Sequence, residues 1–260
     1  MGILAAVKTA LGRRGLGYLQ DKEDSRDRRF DSLPLAVSVP PPSVMHRNHI
    51  VSVLDQGGTN SCVGYSTAQA LRVGLALDGI FQPEQPSPYA IYYWARAETR
   101  SQNSDAGTFI RDAARGLQKF GFPPESKWPS KPTNINKGPD VSAYRAAHDK
   151  RGLRGYYRIA MGDLNSMRLA LAAGKPFVFG ITISSSFTDN KGPNTIDIDS
   201  GRILGGHAMC CIGYDPDRFL IVNSWGNSWR DRGLVWVTAG RMQEAVDIWV
   251  MDFDPNKPST

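Results

Sequence analysis

The chain changes character near Gly152, and no other feature limits its possible folds as much. Before that point, apolar residues recur at helical spacing over Cys62–Asp78, Pro88–Arg100 and Thr108–Phe120, the last run closed by Gly121 and Pro123. After it, one more helical run, Met167–Ala173, follows Asp163 as a cap. The remaining apolar stretches are short and broken by Gly and Asn, at 176–183, 207–214, 218–224, 233–237 and 246–252, as strands would be. Helices first and strands second predict an α+β protein of two unlike lobes, helical over 33–150 and β-rich over 151–254. A groove between the lobes is the natural ligand site.

The flanks are less regular. Leu33–Val44 is proline-rich and extended, and 124–142 reads as a long polar loop. Residues 1–32 are too few to build a core of their own. They carry an apolar stripe, Ile3, Leu4, Val7 and Leu11, that must be covered by something. The expectation is a regulatory or docking arm packed on its own domain and separate from the active site, a docking partner being the other way to cover the stripe. Residues 255–260 are a tail.

Composition removes several function classes. Of 260 residues, 41% are hydrophobic and 22% charged, which suits a globular chain. The net charge of +6 is mild, and acids interleave with bases over Lys22–Asp31, so no nucleic-acid partner is expected. No apolar run approaches the roughly 20 residues of a membrane-spanning helix. The three cysteines, Cys62, Cys210 and Cys211, fit neither a disulfide framework nor a metal finger, and no cofactor is expected. Positive charge follows the apolar start, the reverse of a secretory signal, so the expected location is cytoplasmic.

Chemistry concentrates in three places. Cys62 follows the loop Asp55–Ser61 and opens an apolar helix, with Asn60 or Ser61 as its cap. A helix N-terminus favours an anion and would populate the nucleophilic thiolate. Of the four histidines, His46, His49 and His148 lie in polar, surface-like stretches, whereas His207 sits behind Gly205-Gly206 at the start of an apolar strand. Asn223 ends the next apolar run, with Trp225 and Trp229 to shield it. A nucleophilic Cys needs a base and a third group to orient that base. The vicinal Cys210 and Cys211 alternate on a strand and read as core, as do Tyr89, Tyr92, Tyr93 and Trp94.

Gln56 and Cys62, Gly206-His207-Ala208 and Asn223-Ser224-Trp225-Gly226 together resemble the papain-like cysteine peptidase family. His207 and Asn223 lie 145 and 161 residues beyond Cys62, close to the separation typical of that family. The resemblance implies a papain-like fold with the active-site cleft between its lobes. It also implies a thiol peptidase acting on peptides through a thioester, with Cys62 as nucleophile and His207 as acid/base. Asn223 would orient the imidazole, Gln56 would donate to the oxyanion, and Gly107 would lie where backbone pairs with substrate. The sequence departs from the family pattern at Thr59, where a Cys is usual, at Val63, where an aromatic is usual, and at Gly206. The same triad would also serve an acyl-transfer enzyme, such as a peptide ligase or a peptidoglycan amidase. A catalytically silent binding protein would normally have lost one of the three residues.

Overall fold

In a computed structural model, residues 14–148 and 152–253 are described. The helical run beginning at the nucleophile becomes α1, Cys62–Leu77, and is followed by α2, Pro88–Glu98, and α3, Ile110–Phe120. Helix α1 is buried on nearly every side, Val63, Ala68, Leu71, Val73 and Leu75 together with Ser66, Thr67 and Gln69, which makes it the central helix of the molecule. Gly64 lets α2 approach closely: a Cβ there would sit 2.4 Å from the Pro88 carbonyl oxygen. Ser87 caps α2 by accepting from Ala90 N–H, and Gly121, at a positive φ of 71°, ends α3.

The rest of the chain is mainly sheet. The strands are β1 (Val44–Met45), β2 (Leu153–Ile159), β3 (Phe177–Ser184), β4 (Thr195–Ile196), β5 (Ile203–Tyr214), β6 (Arg218–Val222), β7 (Leu234–Thr238) and β8 (Val246–Phe253). They form one sheet in the order β2-β8-β3-β5-β6-β7-β4, with β1 also paired to β5. All these pairings are antiparallel except β4 with β7. Side chains alternate between two cores. Ala208, Cys210 and Ile212 of β5 face the core shared with α1, whereas Met209 and Cys211 face a second core containing Phe177, Phe179 and Trp225. A third core, around Tyr65, Tyr89, Trp94 and Trp128, lies within the helical half.

The α+β reading holds, with helices preceding most of the sheet along the chain, and with local corrections. The loop expected through 142 gives way to α4, Val141–His148. Strand β2 was not anticipated, because Gly155 and the arginines interrupt its alternation and its pairing with β8 shifts register there. Helix α5, Leu164–Ala172, begins earlier than expected, with Asp163 Oδ1 accepting from Ser166 N–H. The stripe at 3–11 lies outside the described residues. His46 and His49 are half-buried instead of exposed, His46 Nε2 meeting the Leu171 carbonyl at 2.8 Å. Both Cys210 and Cys211 are buried free thiols.

Candidate active site

Cys62 is the first residue of α1, placed by a loop held at both ends. Asn60 N–H donates to the Asp105 carboxylate at 3.0 Å, and Asn60 Nδ2 to the Asp105 carbonyl at 2.7 Å. Ser61 occupies the cap position without capping: its hydroxyl pairs with Thr59 Oγ1 at 2.6 Å. Thr59, in the place of the expected Cys, thus ties the loop by hydrogen bonds, its Oγ1 also donating to the Gln56 carbonyl.

His207 lies on β5, wholly buried. Its Nε2 sits 2.8 Å from Asn223 Oδ1. The Ser224 backbone N–H donates to the same Asn223 atom, which identifies that atom as the oxygen and Nε2 as the protonated nitrogen. Among the described residues Nδ1 has no hydrogen-bond partner, and it is the nitrogen left to receive a proton. Trp225 stacks on the imidazole at 4.8 Å between centroids, with Trp229 edge-on behind it. Gln56 is buried, and its side-chain oxygen accepts from Ser224 Oγ at 2.6 Å. That bond turns the Gln56 amide outward as a donor, to the Thr59 carbonyl at 2.7 Å and the Gly15 carbonyl at 3.0 Å.

Gly15 belongs to the N-terminal arm, and the arm runs through the site. Gly17 N–H donates to Cys62 Sγ at 3.4 Å. The arm then pairs with Thr108: Thr108 N–H donates to the Gly17 carbonyl at 2.8 Å and Leu19 N–H to the Thr108 carbonyl at 3.0 Å. Backbone pairing beside Gly107 is therefore made by Thr108. Gly107 contributes space, since a Cβ there would fall 2.4 Å from the Gly17 oxygen, and its N–H goes to Tyr92 Oη at 2.9 Å. The arm is as closely fitted on its own side. A Cβ on Gly15 would lie 1.7 Å from the Thr59 carbonyl oxygen, and one on Gly17 would lie 1.8 Å from that of Asn60. Farther on, Asp21, Asp24 and Asp27 bond to the domain, with Trp249 Nε1 donating to Asp21 Oδ2 at 2.9 Å and Arg111 pairing with Asp27 at 2.7 Å.

Burial sets the electrostatics of the site. Burial pushes the Cys62 thiol up, against backbone N–H groups of Ala208, Gly17, Val63 and Tyr18 that pull it down. Burial also lowers His207 to about 4, with the Asn223 hydrogen bond working the other way. The covered pair is thus a neutral thiol and a neutral imidazole, where the sequence suggested a thiolate. Reasoning from sequence placed Cys62, His207, Asn223 and Gln56, but missed Ser224, Asp105 and arm residues 15–18. Ser224 lay within the Asn-Ser-Trp-Gly motif; the spaced glycines Gly15 and Gly17 were the available signal for the arm. Among the described residues, no cluster of His, Cys, Asp or Glu could hold a metal ion, and no helix is long and apolar enough to cross a membrane.

This arrangement has known counterparts. The structure is similar to that of xylellain, a cysteine protease from Xylella fastidiosa, with a TM-score of 0.82 and 31% identity, covering 92% of this chain and 96% of that one. A cathepsin L-like proteinase of Fasciola hepatica is 20% identical over 200 residues, 74% of this chain and 58% of its own length. Cathepsin K of Mus musculus is 26% identical over 203 residues, with the same two coverages of 74% and 58%. The chain therefore spans less than two thirds of these curated relatives. A family model described as papain family cysteine protease matches residues 40–249, a range that contains Gln56, Cys62, His207 and Asn223. The chain belongs to the papain family of cysteine proteases.

Proposed function

We propose that the chain is a thiol peptidase that hydrolyses peptide bonds with Cys62, His207, Asn223 and Gln56. One observation carries the reading: the Gln56 amide already holds a peptide carbonyl, that of Gly15, beside a thiol that receives the Gly17 N–H. With substrate in place of the arm, Cys62 Sγ attacks the scissile carbonyl carbon and its proton passes to His207 Nδ1. Gln56 Nε2 and the Cys62 backbone N–H stabilise the oxyanion. The imidazolium gives its proton to the leaving amine, and a thioester remains. Water, deprotonated by His207, then attacks the thioester, releasing the acid and restoring the thiol. Asn223 keeps Nε2 protonated so that Nδ1 faces the reaction, and Trp225 keeps water off that bond.

The described part of residues 1–32 is read as a regulatory arm that holds the cleft closed. The sequence suggested an arm separate from the active site; the Gly17–Cys62 contact instead supports direct occlusion. The test is hydrolysis of a small peptide by wild type, Cys62→Ala and His207→Ala proteins of equal melting temperature. Both substitutions are expected to reduce turnover to background, and retained turnover in either sinks the proposal.

A further inference from the structure

Tyr18 of the arm fills a slot in the domain. Its ring lies against Gly180 of β3 and Gly206 of β5: a Cβ on Gly180 would meet Tyr18 Cζ at 2.1 Å, and one on Gly206 would meet Cδ1 at 2.8 Å. The slot admits an aromatic ring because these two positions carry no side chain. Tyr18 directly follows Gly17, whose N–H donates to Cys62 Sγ at 3.4 Å, and its ring lies on Gly206 beside His207, so the slot adjoins the nucleophile. At its far end Tyr18 Oη donates to Asp247 Oδ2 at 2.5 Å.

Asp247 is built for that position. Its side chain has no exposure, and its backbone adopts a positive φ of 48°, which few side chains other than Asn and Asp tolerate. Oδ1 is held by Arg158 of β2 at 2.5 Å, a pairing between two strands of the domain, while the other guanidinium nitrogen of Arg158 pairs with Asp27 of the arm at 3.2 Å. Oδ2 is committed to the arm alone among these contacts, accepting from Tyr18 Oη and from Asp21 N–H at 2.6 Å. When the arm leaves, Oδ2 loses both of these donors and stands as an acceptor at the end of a ring-shaped slot beside the nucleophile.

We propose that this slot then receives the side chain of a substrate residue within two positions of the scissile bond and selects tyrosine, whose phenol donates to Asp247 Oδ2. The proposal rests on the peptidase reading above. Phenylalanine fills the slot but leaves Oδ2 without a donor, and a site shaped to bond a hydroxyl discriminates strongly against the analogue lacking it. Lysine and arginine gain little, because Arg158 already balances the carboxylate. Leucine and valine leave ring-sized space empty.

The full chain suffices for the test, since closure by the arm lowers kcat/KM for every substrate by the same factor and cancels from ratios. Peptide libraries scanned at the two residues on each side of the scissile bond should show tyrosine enriched at one position. For a peptide pair differing only in Tyr or Phe there, kcat/KM should favour Tyr by at least about tenfold. Asp247→Gly, which suits the positive φ, should bring the ratio near one while the Phe peptide is still cleaved, and Asp247→Asn, which keeps an acceptor, should retain part of the preference. Cleavage that requires Cys62 but treats Tyr and Phe alike, or a ratio unchanged in Asp247→Gly, overturns the slot and leaves the peptidase standing. No cleavage of any peptide by wild type or by the arm-opening Gly17→Val overturns both.

Discussion

The Gly17 amide of the arm donates to Cys62 Sγ, so the chain's own backbone occupies the atom that would attack a substrate. The contact depends on glycine. A Cβ at Gly17 would lie 1.8 Å from the Asn60 carbonyl oxygen, which the Asp105 bonds hold in place. Gly17→Val should therefore expel the arm and raise hydrolysis of a small peptide at least about tenfold, with Gly15→Val acting in the same direction. Rates equal to wild type in both variants would show that the arm does not limit access.

Closure should also depend on pH through Asp21. Burial, and then the neighbouring Asp247, push its carboxyl up to about 7, against the Trp249 hydrogen bond, Arg111 and Arg158. In a displaced arm the carboxyl returns to its ordinary value near 4. Docking therefore takes up a proton between about pH 4 and pH 7, and the hold of the arm is greatest below that window and lost as pH rises through it. Any proton exchanged by Cys62 or His207 on covering is common to wild type and Asp21→Asn and cancels from their ratio. The ratio of kcat/KM for wild type to that of Asp21→Asn, a side chain that cannot ionise, should rise from pH 5 to pH 7 by up to about tenfold per unit. A ratio constant across that range contradicts the linkage.

Oxyanion stabilisation by Gln56 makes a sharper kinetic claim. Gln56→Ala should lower kcat by about 100- to 1,000-fold, or about 2.7–4 kcal/mol, with a smaller change in KM. Ser224→Ala, which frees the Gln56 amide to rotate, should lower kcat in the same sense by less. Equal effects on kcat and KM would place Gln56 in ground-state binding instead.

Stability near the cleft converges on Arg96, buried under no exposed surface within α2. It donates to the Ser104 and Ile135 carbonyls, to Asn136 Oδ1 at 2.9 Å and to the Tyr92 carbonyl, and it lies 3.8 Å over the Tyr92 ring. Arg96→Ala strands those acceptors and should destabilise the fold by at least about 2 kcal/mol. Thermal unfolding should register this as a drop of about 4 °C or more. An unchanged Tm would remove Arg96 from the account.

What the sequence made legible follows from how local each signal is. Cys62, His207 and Asn223 sit in short motifs beside glycines and tryptophans, and the runs at 62–78 and 207–214 carry clear periods. Asp247 gave no such signal: it lies in an apolar strand, and its partners Tyr18, Asp21 and Arg158 are 229, 226 and 89 residues away. Strand β2 was hidden for a related reason, its Gly155 and arginines making sense only against β8 and the arm, where Arg158 N–H donates to the Arg28 carbonyl. The neutral state of the pair was equally beyond reach, since it is set by burial among segments that only the fold brings together.

The central claim is that Cys62 is the nucleophile of a peptidase. Wild type and Cys62→Ala are to be treated with a peptidyl chloromethyl ketone, followed by intact mass and peptide mapping, and peptide hydrolysis is to be measured on the same samples. The expected result is a single adduct on Cys62 in wild type, with Cys210 and Cys211 unmodified, loss of hydrolysis in step with labelling, and neither adduct nor hydrolysis in Cys62→Ala. Adducts shared among the three cysteines, or hydrolysis persisting in Cys62→Ala, would contradict it.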